Sequence, residues 1–253
     1  MKNKFFSCIS CFSWFHFPEN CCVDQRIGKA LFADNGPLTP ADRRTFRNEI
    51  EEICCSYVLD ENHGVMLTPY SDTEHDYTCL AQIDVFLKKP GKAVRVAELC
   101  HRAMPYPLIV ILHDGESLMF SMAEKRFSRD GKEQVVLERC VHTDWLEPAA
   151  LTAFHAAAAF PKFRKHSFRE LYSFYFEMLE ALNCSRITGI LQTEGVDPVR
   201  RRELLTALHQ LQMQLDELKA KAKKESELAR LVEFNMQAKR INHEIHEIHE
   251  KLR

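Results

Sequence analysis

Residues 108–112, Leu-Ile-Val-Ile-Leu, are the feature that most constrains the fold, because five consecutive apolar side chains leave no polar face for solvent. Such a run is typical of a strand covered on both faces. Asp114 and Gly115 follow it and can adopt the positive backbone angles of a tight turn. Residues 118–122 then alternate between larger apolar and smaller or more polar side chains. The sequence therefore predicts a β-hairpin at the centre of the core.

A helix is predicted upstream, beginning at Pro40 and running to about Leu59. Thr39 is a suitable N-cap, and Asp42 stands where the acid of a capping box stands. The predicted length rests on apolar residues at helical spacing, namely Phe46, Ile50, Ile53 and Tyr57.

The region between this helix and the central hairpin contains one further strand and one further helix. Residues 80–87 alternate, with Gln82 and Asp84 on the polar face, and predict a half-buried strand. Residues 94–104 predict a helix, and residues 134–141 add a third strand to the meander. The predicted class is α+β: a compact mixed-sheet domain with a central β-meander, followed by helices and a C-terminal coiled-coil-like long helix. A doubly wound nucleotide-binding fold is disfavoured, because the eight glycines never cluster.

Four segments are predicted along the chain. Residues 1–16 form a cysteine-rich leader, 17–147 the α+β domain, 148–197 a helical extension and 198–253 a coiled-coil helix. No glycine or proline occurs after Pro198. Apolar residues there follow a four-three spacing, which predicts an interaction seam. The seam consists of Leu204, Leu208, Leu211, Leu215, Leu218, Leu231, Phe234, Ile241, Ile245, Ile248 and Leu252.

The seam changes register near residues 219–227, which is consistent with a stutter in one helix or with the corner of a helical hairpin. A continuous or weakly broken helix is the preferred interpretation, since a corner usually carries Gly, Pro or Asn. A seam this regular must be buried, so the sequence predicts pairing within the chain or between chains, including a homodimer through this helix.

Composition excludes little. The formal net charge is −2, which gives no overall field favouring nucleic acid or a membrane surface, and direct nucleic-acid binding stays open. Among the ten cysteines, only Cys8 and Cys11 have the spacing of half a zinc ribbon, so no metal or cofactor is predicted. Reduced thiols in a cytoplasmic protein fit best. The leader lacks a small-x-small cleavage site, and neither it nor any other window is long enough to span a membrane.

No catalytic motif is complete. A metal-dependent nuclease would place an acid on one strand and Glu-x-Lys on the next, but Lys125 comes one position early. The weak catalytic candidates are Asp84, His101, Asp114, Glu124 and Lys125. His243 and His246 are three residues apart instead of the four of a zinc-protease helix, and they and the neighbouring acids are interpreted as the solvated flank of the seam.

Several short segments together resemble the prokaryotic family called domain of unknown function 4391. They are Arg26-Ile27-Gly28-Lys29, Ala103-Met104-Pro105-Tyr106-Pro107-Leu108, Ser121-Met122-Ala123-Glu124-Lys125-Arg126, Thr143-Asp144-Trp145-Leu146 and Leu231-Val232-Glu233-Phe234-Asn235. The resemblance begins at about Phe17 and extends to the C-terminus. It implies a cytoplasmic protein encoded beside helicases and DNA methyltransferases of restriction or phage defence, with no established catalytic residues.

Two functions are therefore expected from sequence. The leading hypothesis is a non-catalytic accessory or adaptor protein that binds a protein partner, with a helicase or DNA methyltransferase implied by the resemblance. The alternative is a metal-dependent nuclease in which Asp84, Asp114 and Glu124 meet only in the fold.

Overall fold

The computed structural model describes residues 14–34, 38–128 and 131–253, so most of the predicted cysteine-rich leader lies outside the described residues. The elements of the first compact unit, which ends at Leu179, are β1 (Cys22–Arg26), α1 (Lys29–Asp34), α2 (Pro40–Glu49), β2 (Ile50–Leu59), β3 (Tyr70–Ser71), β4 (Asp76–Tyr77), β5 (Leu80–Leu87), α3 (Ala93–Ala103), β6 (Leu108–His113), β7 (Leu118–Ser128), β8 (Gly131–His142), α4 (Thr152–Ala157) and the first part of α5 (Phe168–Thr188). The second unit, Glu180–Arg253, holds the end of α5 with α6 (Pro198–Ala222) and α7 (Leu228–Leu252).

The main sheet has six strands in the order β1-β2-β5-β6-β7-β8. Its strands pair antiparallel except for β5 and β6, which α3 joins as a parallel pair. All six residues of β6 are buried, and β6 pairs with β7 as the predicted hairpin, with Leu112 opposite Met119. Gly115 has a φ of 108° in the connecting turn, which explains why glycine is needed there. The predicted α+β class with a mixed sheet is confirmed.

The helix predicted from Pro40 to Leu59 is wrong in its second half. The Thr39–Asp42 capping box is present, but α2 ends at Glu49 and residues 50–59 form β2. The pairing of β2 with β5 shifts register twice, between Ile50 and Glu52 and between Cys55 and Tyr57. Irregularities of this kind break the two-residue repeat of a strand, so its buried residues imitate helical spacing.

The two faces of the sheet are both covered. On one face, Phe46 of α2 and Val96 of α3 pack with sheet residues that include Ile83 and Val110. The other face carries an aromatic layer, in which the rings of Phe15 and Tyr175 lie 4.8 Å apart. The predicted half-buried strand at residues 80–87 is therefore buried on both sides, and its polar residues Gln82 and Asp84 are inside the protein.

The preferred interpretation of the C-terminal segment as a continuous or weakly broken helix is also wrong, because the chain reverses between Ala222 and Leu228. Two helices, α6 and α7, lie antiparallel, since Leu204 and Leu208 pack in one cluster with Ile248 and Leu252. The corner, at residues 223–227, contains no Gly, Pro or Asn. Instead, the Glu225 carboxylate accepts backbone N–H groups of residues 226 and 227 at 2.9 and 3.0 Å, which stabilises the start of α7.

The described helices include none whose length and apolar content would let it cross a bilayer.

Candidate functional site

A fork in the sheet, where β6 separates from β7, surrounds a buried lysine. Strand β6 begins only after Pro107, whereas the pair of β7 and β8 extends beyond that end of β6, and the sheet forks there. Lys125 lies at this fork on the α3 side, and its Nζ donates to the backbone carbonyl oxygens of Met104 and Tyr106 at 2.9 and 2.8 Å. Burial lowers the pKa of Lys125 to about 7. The amine is therefore about half protonated near pH 7, unlike an ordinary lysine.

Tyr172 of α5 closes the same fork from the opposite face. Its hydroxyl accepts the N–H of Ala123 at 3.1 Å and lies 2.8 Å from Ala123 O and 3.2 Å from Leu108 O. The hydroxyl thus takes the place of ladder hydrogen bonds where β6 and β7 separate. Burial raises the pKa of Tyr172 above its usual range, so the phenol stays protonated.

Lys125 and Tyr172 line one small crevice of about 10 Å³, bordered by Glu74, Asp76 and Arg126, which is room for roughly one water molecule. The unprotonated form of a lysine amine is a group used for proton transfer or nucleophilic attack. Here, however, two N–H groups of the Lys125 amine are occupied by two backbone carbonyls, and the phenol is held by the backbone of β6 and β7. These hydrogen bonds stabilise the backbone at the fork, which is a structural role.

His101 occupies a separate buried position on α3. Its Nε2 lies 2.9 Å from Ser121 Oγ, and its Nδ1 has no hydrogen-bond partner among the described residues. Burial lowers the pKa of His101 well below its ordinary value. The imidazole is therefore neutral near pH 7, and its pKa does not match that of a general acid working there.

Asp84 is the centre of a buried polar cluster on the aromatic face. Its carboxylate accepts the Ser56 hydroxyl, the Gln82 amide at 3.1 Å and His113 Nε2 at 2.6 Å. The His113 ring stacks on Phe86, with centroids 4.5 Å apart. Sequence reasoning named Asp84 but missed its partners, because it assigned Asp84 to a solvent-facing side of the strand.

The three acids of the nuclease hypothesis do not converge. Asp84 is level with Ile111, which is level with Phe120, and Glu124 lies four residues further along β7. Standard strand spacings place Asp84 and Glu124 roughly 16 Å apart, too far to share metals. Asp114 is exposed in the turn, where it accepts the N–H of Ser117 at 2.9 Å.

Glu124 has a structural partner instead. It forms a two-pronged ion pair with Arg139, at 3.0 and 2.9 Å, and the Arg139 guanidinium lies 4.1 Å from the centre of the Phe176 ring. Among residues 14–34, 38–128 and 131–253, no group of three His, Cys, Asp or Glu side chains has the geometry of a metal site. The Cys8 and Cys11 pair lies outside these residues.

The interaction seam predicted from sequence is used mostly inside the second unit. Leu204, Leu208, Leu215, Ile248 and Leu252 are buried, and the other seam residues are half-buried. A different set of apolar side chains faces outward on α7. Leu228, Val232 and Met236 are 76, 52 and 55% exposed, and their four-residue spacing places them on one side of the helix. These three residues are called the α7 stripe below; sequence reasoning missed them because it followed the seam alone.

Comparison with known proteins gives one match. The model of the family described as "Domain of unknown function (DUF4391)" matches residues 15–245, which confirms the resemblance found in the sequence. No curated protein and no solved structure matches.

Proposed function

We propose, on the premise that the chain belongs to the DUF4391 family of unknown function, that it is a non-catalytic accessory protein that binds a protein partner through the α7 stripe. Its place of action in this proposal is the cytoplasm. The partner class is a helicase or DNA methyltransferase of a restriction or phage-defence system, as the family resemblance implies.

The observation that carries the proposal is the exposure of Leu228, Val232 and Met236. Single exposed apolar residues are common on protein surfaces, but three on one helix side form a continuous strip. A strip at positions i, i+4 and i+8 matches the way one helix recognises another helix or a groove. The stripe begins at the corner of the hairpin, so it is presented at an end of the second unit.

The geometry of the polar residues supports a binding role over an enzymatic one. Lys125 and Tyr172 form hydrogen bonds to backbone carbonyl groups. His101 is buried, and Asp84 lies far from Glu124. These residues account for every catalytic candidate except the exposed turn residue Asp114, and the nuclease alternative gains no support from them.

The test is a co-purification of the tagged full-length protein from its native host. The variant Val232→Asp/Met236→Asp introduces two charges into the stripe, and we expect it to lose its partner because a buried unpaired charge opposes association. Met213→Asp is the matched control, since Met213 is 61% exposed on the other helix.

Mass spectrometry of the captured proteins and light scattering of the purified protein provide the readouts. A helicase or methyltransferase retained by wild type and Met213→Asp but lost by the stripe variant supports the proposal. Retention by all three proteins contradicts it. If wild type is a dimer and the stripe variant is a monomer, the partner of the stripe is a second copy of this chain and not a helicase or methyltransferase.

A further inference from the structure

Arg201 is a buried cation that has no acidic partner among the described residues. It lies in the first turns of α6 and is 5% exposed. Its Nη2 donates to the backbone carbonyl of Gln192 at 3.1 Å. Within the described residues, this is the one hydrogen bond of the guanidinium, and no carboxylate lies at ion-pair distance from it. Since a guanidinium has five N–H groups, most of its donor capacity is unused.

Such an arrangement is costly unless an anion completes it. Burying a charge removes its hydration, and structures normally compensate with a counter-ion or several hydrogen bonds. The neighbouring residue Arg202 illustrates the usual solution, because its Nε donates to the buried carboxylate of Glu180 at 3.2 Å. Arg201 has no equivalent carboxylate in the described part of the chain.

A cavity of about 90 Å³ lies against Arg201 at the open end of the hairpin. One buried water needs only roughly 10–15 Å³ by the same kind of measure, so the space accommodates a larger group. Arg200, Arg201 and Lys251 line it with three positive charges, against the single negative charge of Asp197. Asp197 is already used as the N-cap of α6, where it accepts the N–H of Val199 at 2.9 Å.

The backbone adds to this positive environment. The N-terminal end of the 25-residue helix α6 borders the cavity and carries partial positive charge. The C-terminal end of α7, at Lys251 and Leu252, borders it as well, and the partial negative charge of that helix end offsets part of the positive charge. The loop between α5 and α6 turns at Gly189 and Gly195, whose φ values of 78° and 71° favour glycine, and this loop supplies the Gln192 carbonyl to Arg201.

We propose that this cavity binds a small oxyanion, a phosphate or carboxylate group held by the Arg201 guanidinium and Lys251. The planar guanidinium presents paired donors that match two oxygens of either group. Val196, Leu204 and Leu252 form the apolar part of the lining, which suits a short apolar tail attached to the anionic group. The site is independent of the α7 stripe and of the proposed function.

Calorimetric titration of the full-length protein tests the inference with two probes, inorganic phosphate and butyrate, at constant ionic strength maintained with chloride. We expect at least one probe to bind saturably with a dissociation constant of about 1 mM or lower. Phosphate binding alone identifies a phosphate-type ligand, and butyrate binding alone identifies a carboxylate with an apolar tail. Saturable binding of neither probe overturns the proposal.

Variants locate the binding. Arg201→Gln keeps a donor for the Gln192 carbonyl but removes the charge, and we expect it to weaken binding at least about tenfold. Lys251→Gln, at the rim, weakens it several-fold. Arg240→Gln removes an exposed positive charge from α7 away from the cavity and leaves affinity within about twofold. Equal affinity of wild type and Arg201→Gln contradicts the assignment.

A stability measurement keeps the result interpretable. Without the probe, Arg201→Gln should have a melting temperature equal to or above that of wild type, because an unpaired buried charge is removed. With a saturating probe, wild type should gain stability and Arg201→Gln should not. A variant that melts well below wild type without the probe identifies Arg201 as a purely structural residue.

Discussion

His113 Nε2 lies 2.6 Å from Asp84 Oδ1, and both side chains are buried beneath the aromatic face of the sheet. The pair joins the parallel strands β5 and β6 at the centre of the domain. Ser56 and Gln82 donate to the other carboxylate oxygen, so Asp84 connects residues of three strands. The cluster is a structural junction of the sheet.

Replacing Asp84 with Asn should lower the free energy of unfolding by about 2–4 kcal/mol, because the amide cannot accept all three hydrogen bonds and leaves buried donors unpaired. Glu116→Gln is the matched control, since Glu116 is exposed in the turn after β6 and should change stability by less than about 0.5 kcal/mol. Urea unfolding followed by circular dichroism measures both. An Asp84→Asn protein as stable as the control would show that the cluster contributes no net stability.

The burial of Asp84 also marks the limit of what the sequence predicts. The alternation of residues 80–87 located β5 correctly, because alternation is a local property of the strand. Whether its polar face meets solvent depends on Phe15 and Tyr175, which are distant in sequence and cover that side of the sheet. The wrong prediction of a helix over residues 50–59 has a related cause. The two register shifts in β2 are set by its pairing with β5, and they imitate a helical pattern.

For the candidate residues too, the sequence predicts local features but not those that depend on tertiary contacts. The sequence identified Lys125 through an incomplete Glu-x-Lys pattern. Its lowered pKa arises from burial at a fork that appears only when β6, β7 and the preceding loop are assembled. Arg201 and the α7 stripe were missed for a different reason. An arginine in a basic helix start and three apolar residues outside a regular seam look ordinary until burial is known for each side chain.

Lys125 should make stability depend on pH. Its pKa is about 7 in the folded protein, against 10.5 for an ordinary lysine. Between these values the unfolded chain binds one proton more than the folded chain, so the free energy of unfolding rises with pH. Below pH 7 both states are protonated, the slope vanishes, and the cost of burying the ammonium group is fully present.

Urea unfolding at intervals from pH 6.5 to 9 measures this effect. Wild type should show an added slope that approaches about 1.4 kcal/mol per pH unit, and Lys125→Met should lack it. The range stops at pH 9 because buried thiols such as Cys100, whose pKa burial raises to about 12, oppose the trend at higher pH. Lys89→Met removes an exposed lysine and should retain the wild-type slope; identical slopes for all three proteins would refute the assignment.

The thiols should differ sharply in reactivity. Cys22 is exposed, whereas Cys100 is buried and its pKa is raised to about 12. Because the thiolate is the reactive species, brief iodoacetamide treatment at pH 7.5 should modify Cys22 at least about tenfold faster than Cys100. Peptide mapping gives the rates, and unfolding in urea should abolish the difference. Comparable rates in the folded protein would place Cys100 at the surface.

The helical hairpin predicts a short distance between residues that are far apart in sequence. Glu203 of α6 and Glu250 of α7 are exposed and lie one and two residues before Leu204 and Leu252, which share one core cluster. Packed helices lie about 10 Å apart, so spin labels on these two residues should be separated by less than about 25 Å. A continuous helix rises 1.5 Å per residue and would place them roughly 70 Å apart.

Pulsed electron paramagnetic resonance distinguishes these distances, with the labels attached to non-natural amino acids so that the native cysteines stay intact. A second label pair at Glu203 and Asp216, both on α6, serves as the control and should give the same distance of about 20 Å along one helix in either arrangement. A dominant Glu203–Glu250 distance beyond about 50 Å would restore the continuous helix. In a continuous helix the seam residues of α6 and α7 could not pack against each other, so they would have to be buried in an interface with another chain.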